Sequence, residues 1–140
     1  MKKTAVIYWS GTGNTEAMAN AVLEGMKQAG ADAAIFEVDG APSDLSGYDA
    51  VAFGCPAMGA EVLEEEVFAP AFDACKPQLA GKSVALFGSY GWGDGEWMRS
   101  WEDDCRAAGA QLACESVTCC EAPDDAALVA CRALGKALAE

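Results

Sequence analysis

A chain of 140 residues, 52% of them hydrophobic, is long enough for one domain (residues 1–140) with a core of its own, and needs neither disulfides nor metals to fold. Its formal net charge of −13 argues against nucleic acid and anionic membranes as partners and favours a basic protein partner or plain solubility. No apolar run is long enough to span a membrane, and Thr4–Trp9 is too short for a signal peptide, so the default location is cytoplasmic.

The first strand-length apolar run, Thr4–Trp9, leads into Ser10-Gly11-Thr12-Gly13-Asn14-Thr15. Two glycines let the backbone fold tightly around an anion, and Ser10, Thr12, Asn14 and Thr15 can donate hydrogen bonds to it. Thr15 to Gln28 reads as a helix with apolar positions at Met18, Ala19, Val22, Leu23 and Met26 and a stop at Gly30. Its N-terminus would aim free N–H groups at the same spot. No Lys, Arg or His lies between Lys3 and Lys27, and the Gly-Lys-Ser/Thr ending of a triphosphate loop is missing. The loop suits one terminal phosphate held by neutral donors.

Further strand-length runs follow at Ala34–Val38, Ala50–Gly54, Val84–Gly88 and Leu112–Cys119. Between the first two of these, Asp39–Tyr48 is a turn or a very short helix. Helical patterns cover Val67–Cys75, the stripe Trp97, Met98, Trp101, Cys105 and Ala108, and the stripe Ala127, Cys131, Leu134 and Leu138 after Pro123-Asp124-Asp125. Five strands alternating with helices give a doubly wound parallel sheet covered on both faces. Ligands of such sheets bind beyond the carboxyl ends of the strands, where the strand order switches.

Two more loops fall at those ends. Cys55-Pro56-Ala57-Met58-Gly59-Ala60-Glu61 follows the third strand, and Ser89-Tyr90-Gly91-Trp92-Gly93-Asp94-Gly95 follows the fourth. Trp92 stands between glycines, either awaiting a flat ligand or folded back under its own loop, whereas Trp97 and Trp101 sit on a core stripe. Met58 is a polarizable surface for a ring face, and Glu61 can accept a ring N–H. One phosphate loop with an apolar ring site fits flavin mononucleotide better than a dinucleotide.

The seven cysteines are odd in number, lack a C-x-x-C and stand in a chain without histidine, which fits small core hydrophobes in a reducing compartment and offers no zinc site. Absent His also removes the Ser-His and Cys-His nucleophile pairs. A receiver domain needs Asp where Cys55 stands, and a cysteine phosphatase needs an Arg soon after that Cys, yet the next is Arg99. Acids cluster at Glu61, Glu64, Glu65 and Glu66, at Asp94, Glu96, Glu102, Asp103 and Asp104, and at Glu121, Asp124 and Asp125. They read either as solvated helix starts or as a negative rim at one end of the molecule.

YWSGTGNTE at 8–16, GCPAMGAEVLEE at 54–65 and ALFGSYGWGDGEWMR at 85–99 resemble the motifs of short-chain flavodoxins of anaerobes, in the same order over nearly the whole chain. The resemblance implies a five-stranded flavodoxin-like sheet of order 2-1-3-4-5. It implies non-covalent FMN, with Ser10, Thr12, Asn14, Thr15 and the backbone of Gly11 and Gly13 on the phosphate. Trp92 would stack on the outer ring face, Met58 on the inner, with Gly59 beside flavin N5 and Glu61 on N3. Pro56, Ala57, Ala60, Ser89, Tyr90, Gly91 and Gly93 complete the implied contacts, and the stretch around Glu121 lies nearby. The implied activity is electron carriage between redox proteins, by a monomer that cycles between semiquinone and hydroquinone at low potential and is not an enzyme. A small FMN-dependent quinone or nitro reductase is the rival, but the chain has no second pocket motif or nicotinamide domain.

In the family the peptide at Gly59 turns over when the semiquinone forms, producing a type II turn that needs positive φ at the next residue. Many relatives carry Asp, Asn or Gly there; Ala60 adopts such a conformation at a cost of about 1–2 kcal/mol. Ala60→Gly is therefore expected to raise the oxidised/semiquinone potential, measured by potentiometric titration; an unchanged value would defeat the turn argument.

Overall fold

Side chains along the apolar runs sort themselves to two faces of one parallel sheet. The computed structural model describes residues 2–11, 13–42, 44–58, 63–91 and 95–140. The elements are β1 (Lys3–Tyr8), α1 (Asn14–Gln28), β2 (Asp32–Glu37), β3 (Ala50–Gly54), α2 (Phe68–Cys75), β4 (Ser83–Tyr90), α3 (Glu96–Ala107), β5 (Gln111–Leu112), β6 (Val117–Cys120) and α4 (Asp125–Ala139). The strands run in the order β2-β1-β3-β4, with β5 and then β6 along the outer edge of β4. This is the expected 2-1-3-4-5 arrangement.

The fifth strand departs from expectation. Leu112–Cys119 reads as continuous, but β5 pairs with Ser83 and Val84, and β6 pairs with Phe87 to Tyr90. Two more residues separate Leu112 from Val117 than separate their partners Val84 and Phe87, so the excess must leave the ladder as a bulge. Glu115 and Ser116 fall in this gap, and the Ser116 hydroxyl donates to Glu102 Oε2 on α3 at 2.7 Å.

One face carries large side chains. Ile7, Val51, Phe53, Val84 and Leu86 meet Phe68 and Phe72 of α2 and Trp97 and Trp101 of α3. Phe53 and Trp101 both stand edge-on to Phe72, with centroids 5.1 and 5.7 Å apart. Trp97 and Trp101 are both buried, as their helical spacing predicts. The crossover from β2 to β3 lies on this face with only a 3-10 turn, Val38–Gly40. Lys82 holds it in place, donating to the carbonyls of Leu45 and Tyr48.

The other face is lined with small residues, Ala50, Ala52 and Ala85 beside Val6 and Phe87, and there α1 and α4 lie side by side. Their contact is backbone against backbone. A Cβ added at Gly25 would run into the Arg132 carbonyl, and one at Gly135 into the Val22 carbonyl. The start of α4 is set as read from the sequence, with Asp124 Oδ1 accepting the Ala127 N–H at 2.8 Å. No helix among the described residues is long and apolar enough to cross a membrane.

Because neither partner in the α1–α4 contact is a flexible side chain, the contact cannot yield locally. Gly135→Ala should lose about 2–3 kcal/mol of stability, read as a lower urea midpoint with unchanged slope. Gly40→Ala, at a site with nothing within 4 Å of the new Cβ, should stay near wild type.

Candidate functional site

β1 lies between β2 and β3, so the chain leaving β1 and the chain leaving β3 diverge to opposite faces of the sheet. Their loops part at the carboxyl end and leave a crevice. A cleft of about 540 Å³ opens there. Trp9, Gly11 and Asn14 line it from the loop after β1, and Pro56, Ala57 and Met58 from the loop after β3. Ser89, Tyr90 and Gly91 come from the end of β4, and Glu121 and Ala122 from the loop after β6. Four separate segments therefore converge, and none of these lining residues carries a positive charge. The volume is within the range of cofactor sites, roughly 300–1,000 Å³.

The loop after β1 is shaped before α1 begins. Gly13 holds the N-cap position with φ of 94°, a left-handed conformation that costs glycine little. Ser10 Oγ accepts N–H bonds from Gly13 at 3.1 Å and Glu16 at 3.3 Å. With its acceptor positions used inward, the Ser10 hydroxyl has its proton left to donate. Gly11 makes room for the Trp9 indole: a Cβ there would lie 2.9 Å from Trp9 Cη2. Thr15 is buried, and its hydroxyl shares a 3.3 Å hydrogen bond with the Ser89 hydroxyl, tying the first turn of α1 to the end of β4. The Ala57 N–H donates to the Ser89 carbonyl at 3.0 Å, so the loops after β1, β3 and β4 are fastened together at one residue.

The chain matches the family model described as Flavodoxin over residues 6–135. The chain belongs to the flavodoxin family. It is similar to the flavodoxin of Megasphaera elsdenii, 47% identical over 96% of this chain and 97% of that one. It is also similar to the flavodoxin of Clostridium beijerinckii, 43% identical over 86% and 88%. Among solved structures, that of two-electron reduced Megasphaera elsdenii flavodoxin aligns with a TM-score of 0.89 at 44% identity, covering 97% of this chain and 98% of that one. A flavodoxin from the domain Archaea aligns with a TM-score of 0.84 at 28% identity, covering 98% and 96%. Flavodoxins are FMN-binding electron carriers, and the cleft suits that cofactor on its own evidence: neutral donors and a helix N-terminus at one end, apolar walls at the other.

Of the residues singled out from the sequence, Gly11, Asn14, Pro56, Ala57, Met58, Ser89, Tyr90 and Gly91 meet at the cleft. Ser10, Gly13 and Thr15 shape it from behind. Thr12, Gly59, Ala60, Glu61, Trp92 and Gly93 lie outside the described residues. Met58 is exposed to 36%, a large apolar side chain in the open wall of the cleft. Trp9, which its apolar run places at the end of a strand, also lines the cleft; the signal for this is its position directly before the Gly-rich loop. Glu121 has φ of 58°, the one positive value among described non-glycine residues, and strain of this kind gathers at functional sites.

Glu64 stands at a helix start, as one reading of its cluster has it, but it is not solvated. It is only 7% exposed, and its carboxylate accepts the N–H groups of Glu66, Val67 and Phe68 at 2.9, 2.7 and 2.7 Å, closing the start of α2. Burial works to raise its carboxyl, but the N–H bonds from Phe68, Val67 and Glu66 prevail and hold it below the ordinary carboxylate value. A lowered pKa contributes stability that is present above the unfolded value and lost as pH falls through the folded one. Glu64→Gln should therefore cost about 2 kcal/mol at neutral pH, and the gap to wild type should close below about pH 4, measured as urea midpoints across pH.

Proposed function

We propose that this chain is a low-potential one-electron carrier holding FMN non-covalently in the cleft, working between the semiquinone and hydroquinone states to pass electrons between redox proteins. The observation that carries the reading is electrostatic. The phosphate end offers neutral donors, Ser10 and Asn14 among them; the described cleft wall has no cation and includes Glu121; the whole chain carries −13. FMN supplies a ring that takes up electrons singly, and its reduced form prefers to be an anion. Apolar walls and surrounding negative charge disfavour that anion, and about 1.4 kcal/mol of disfavour corresponds to roughly 60 mV for one electron. A few kcal/mol of desolvation and repulsion therefore suffice for a strong reductant.

In this reading Ser10, Thr12, Asn14 and Thr15, with the backbone of Gly11 and Gly13, hold the phosphate. Ser89 can donate to Thr15 across their shared hydrogen bond, which leaves the Thr15 proton for the phosphate. Met58 and Trp92 would flank the ring, and Glu61 would accept a hydrogen bond from its N3–H. Pro56, Ala57, Gly59, Ala60, Tyr90, Gly91 and Gly93 would form the remaining edge. The carrier role favours docking to proteins with basic patches, because acids surround the cleft in sequence and the net charge is strongly negative. An enzymatic role as an FMN reductase would require a site for a nicotinamide, and none of the motifs supplies one.

Purified protein is expected to be yellow. FMN-free protein should bind FMN at one per chain with quenched Trp fluorescence, and should bind riboflavin at least about tenfold more weakly because the phosphate contacts are lost. Equal affinity for the two would overturn the phosphate assignment. NADH alone should not reduce the bound flavin in stopped flow; turnover would favour the reductase reading.

A further inference from the structure

Cys55 stands where β3 ends and the Pro56–Met58 wall of the cleft begins, and every polar atom it has is engaged. Its N–H donates to the Phe87 carbonyl at 3.2 Å, and its carbonyl accepts the Trp97 indole N–H at 3.2 Å. Its Sγ accepts the Glu64 N–H at 3.4 Å and donates to the Pro56 carbonyl at 3.5 Å. Donating and accepting together require a neutral thiol, and burial pushes this one up to about 12, so it keeps its proton. Glu64 is fastened equally firmly on the other side. Its carboxylate holds three N–H groups of the α2 start, and its carbonyl accepts the Ala69 N–H at 2.9 Å.

Cys55 is thus fixed to the sheet and α3, and Glu64 to α2, while the thiol joins the two across nine residues of sequence. We propose that Cys55 and Glu64 are a pair of positioning residues that clasp the ends of the segment carrying Met58, and thereby set how dry the cofactor ring is and how readily it gives up an electron. The proposal rests on the FMN reading above. A sulfur acceptor is weak, but the Glu64 N–H it satisfies is buried, and orphaning a buried donor costs more than the bond itself contributes. Loosening the clasp frees Ala57 and Met58 to shift and admits water to the ring. Water stabilises the reduced anion, so the second electron step becomes easier and the protein a poorer reductant.

The test uses full-length Cys55→Ala, Cys55→Ser and Glu64→Gln, each with and without FMN. Three quantities are read: the thermal midpoint of FMN-free protein, the FMN dissociation constant, and the two one-electron potentials by spectroelectrochemistry. Cys55→Ala, which changes no charge, should bind FMN about tenfold more weakly and move the second potential upward, and Cys55→Ser, which keeps a donor and an acceptor, should recover much of both. A Cys55→Ala protein with a lower FMN-free midpoint but wild-type affinity and potentials would overturn the proposal, leaving the pair a purely structural tie. If Cys55→Ala does not fold, Glu64→Gln decides by sign. Removing a negative charge alone tightens the binding of an anionic phosphate, whereas a loosened clasp weakens it. Weaker binding supports the clasp, and equal or tighter binding overturns it. Failure of the wild type itself to bind FMN would instead remove the reading on which the proposal rests.

Discussion

Pairing of β1 with β2 on one side and β3 on the other is the constraint on which the rest depends. Both pairings are parallel, and the Trp9 N–H continues the ladder beyond β1 to the Gly54 carbonyl at 3.0 Å. A strand between two parallel neighbours sends its own crossover to one face while its other neighbour sends the next to the opposite face. The loops after β1 and β3 must then separate, and a crevice at the carboxyl end follows from the connectivity itself. Side chains decide only what the crevice can hold.

The two layers of helix solve different packing problems around that sheet. On the α1–α4 side, alanines in the strands and glycines at 25 and 135 bring two helices together at backbone distance. On the other side, Phe53 and Trp101 meet Phe72, and Trp101 meets Phe68, edge to face, with Trp97 buried in the same layer. The rigid small-residue face supports the start of α1, where neutral donors gather, and the aromatic face supports Cys55 through the Trp97 indole. Each half of the cleft is thereby held by a different helix layer, and Ser89 joins the halves through Thr15 and Ala57.

Local chemistry explains why some of the site could be read in advance. Ser10, Gly11 and Gly13 to Thr15, Pro56 to Met58 and Ser89 to Gly91 belong to stretches whose glycines, hydroxyls and flanking apolar runs mark them within a few residues as loops at the ends of strands. Glu64 and Cys55 could not be read this way. An acid among Glu61, Glu65 and Glu66 has the same local signature whether it faces water or closes a helix, and a Cys after an apolar run reads as core. The partners that reveal Cys55 are nine and 42 residues away, Glu64 and Trp97, and the burial that sets Glu64 apart from its neighbours comes from packing rather than from the residues beside it. The broken fifth strand was hidden for a related reason, since a bulge is defined by counting against β4 rather than by composition.

By itself, the sequence determined the alternation of strands and helices, the Gly-rich loop of neutral donors after the first strand and the absence of cations from it, because those are properties of consecutive residues and of composition. Tertiary structure alone decided that these loops share one cleft with Trp9, that Ser10 turns its lone pairs inward, that Trp9 lies over Gly11, and that the Cys55 thiol takes the Glu64 N–H. These depend on distances between segments, which exist only after the sheet has brought the segments together.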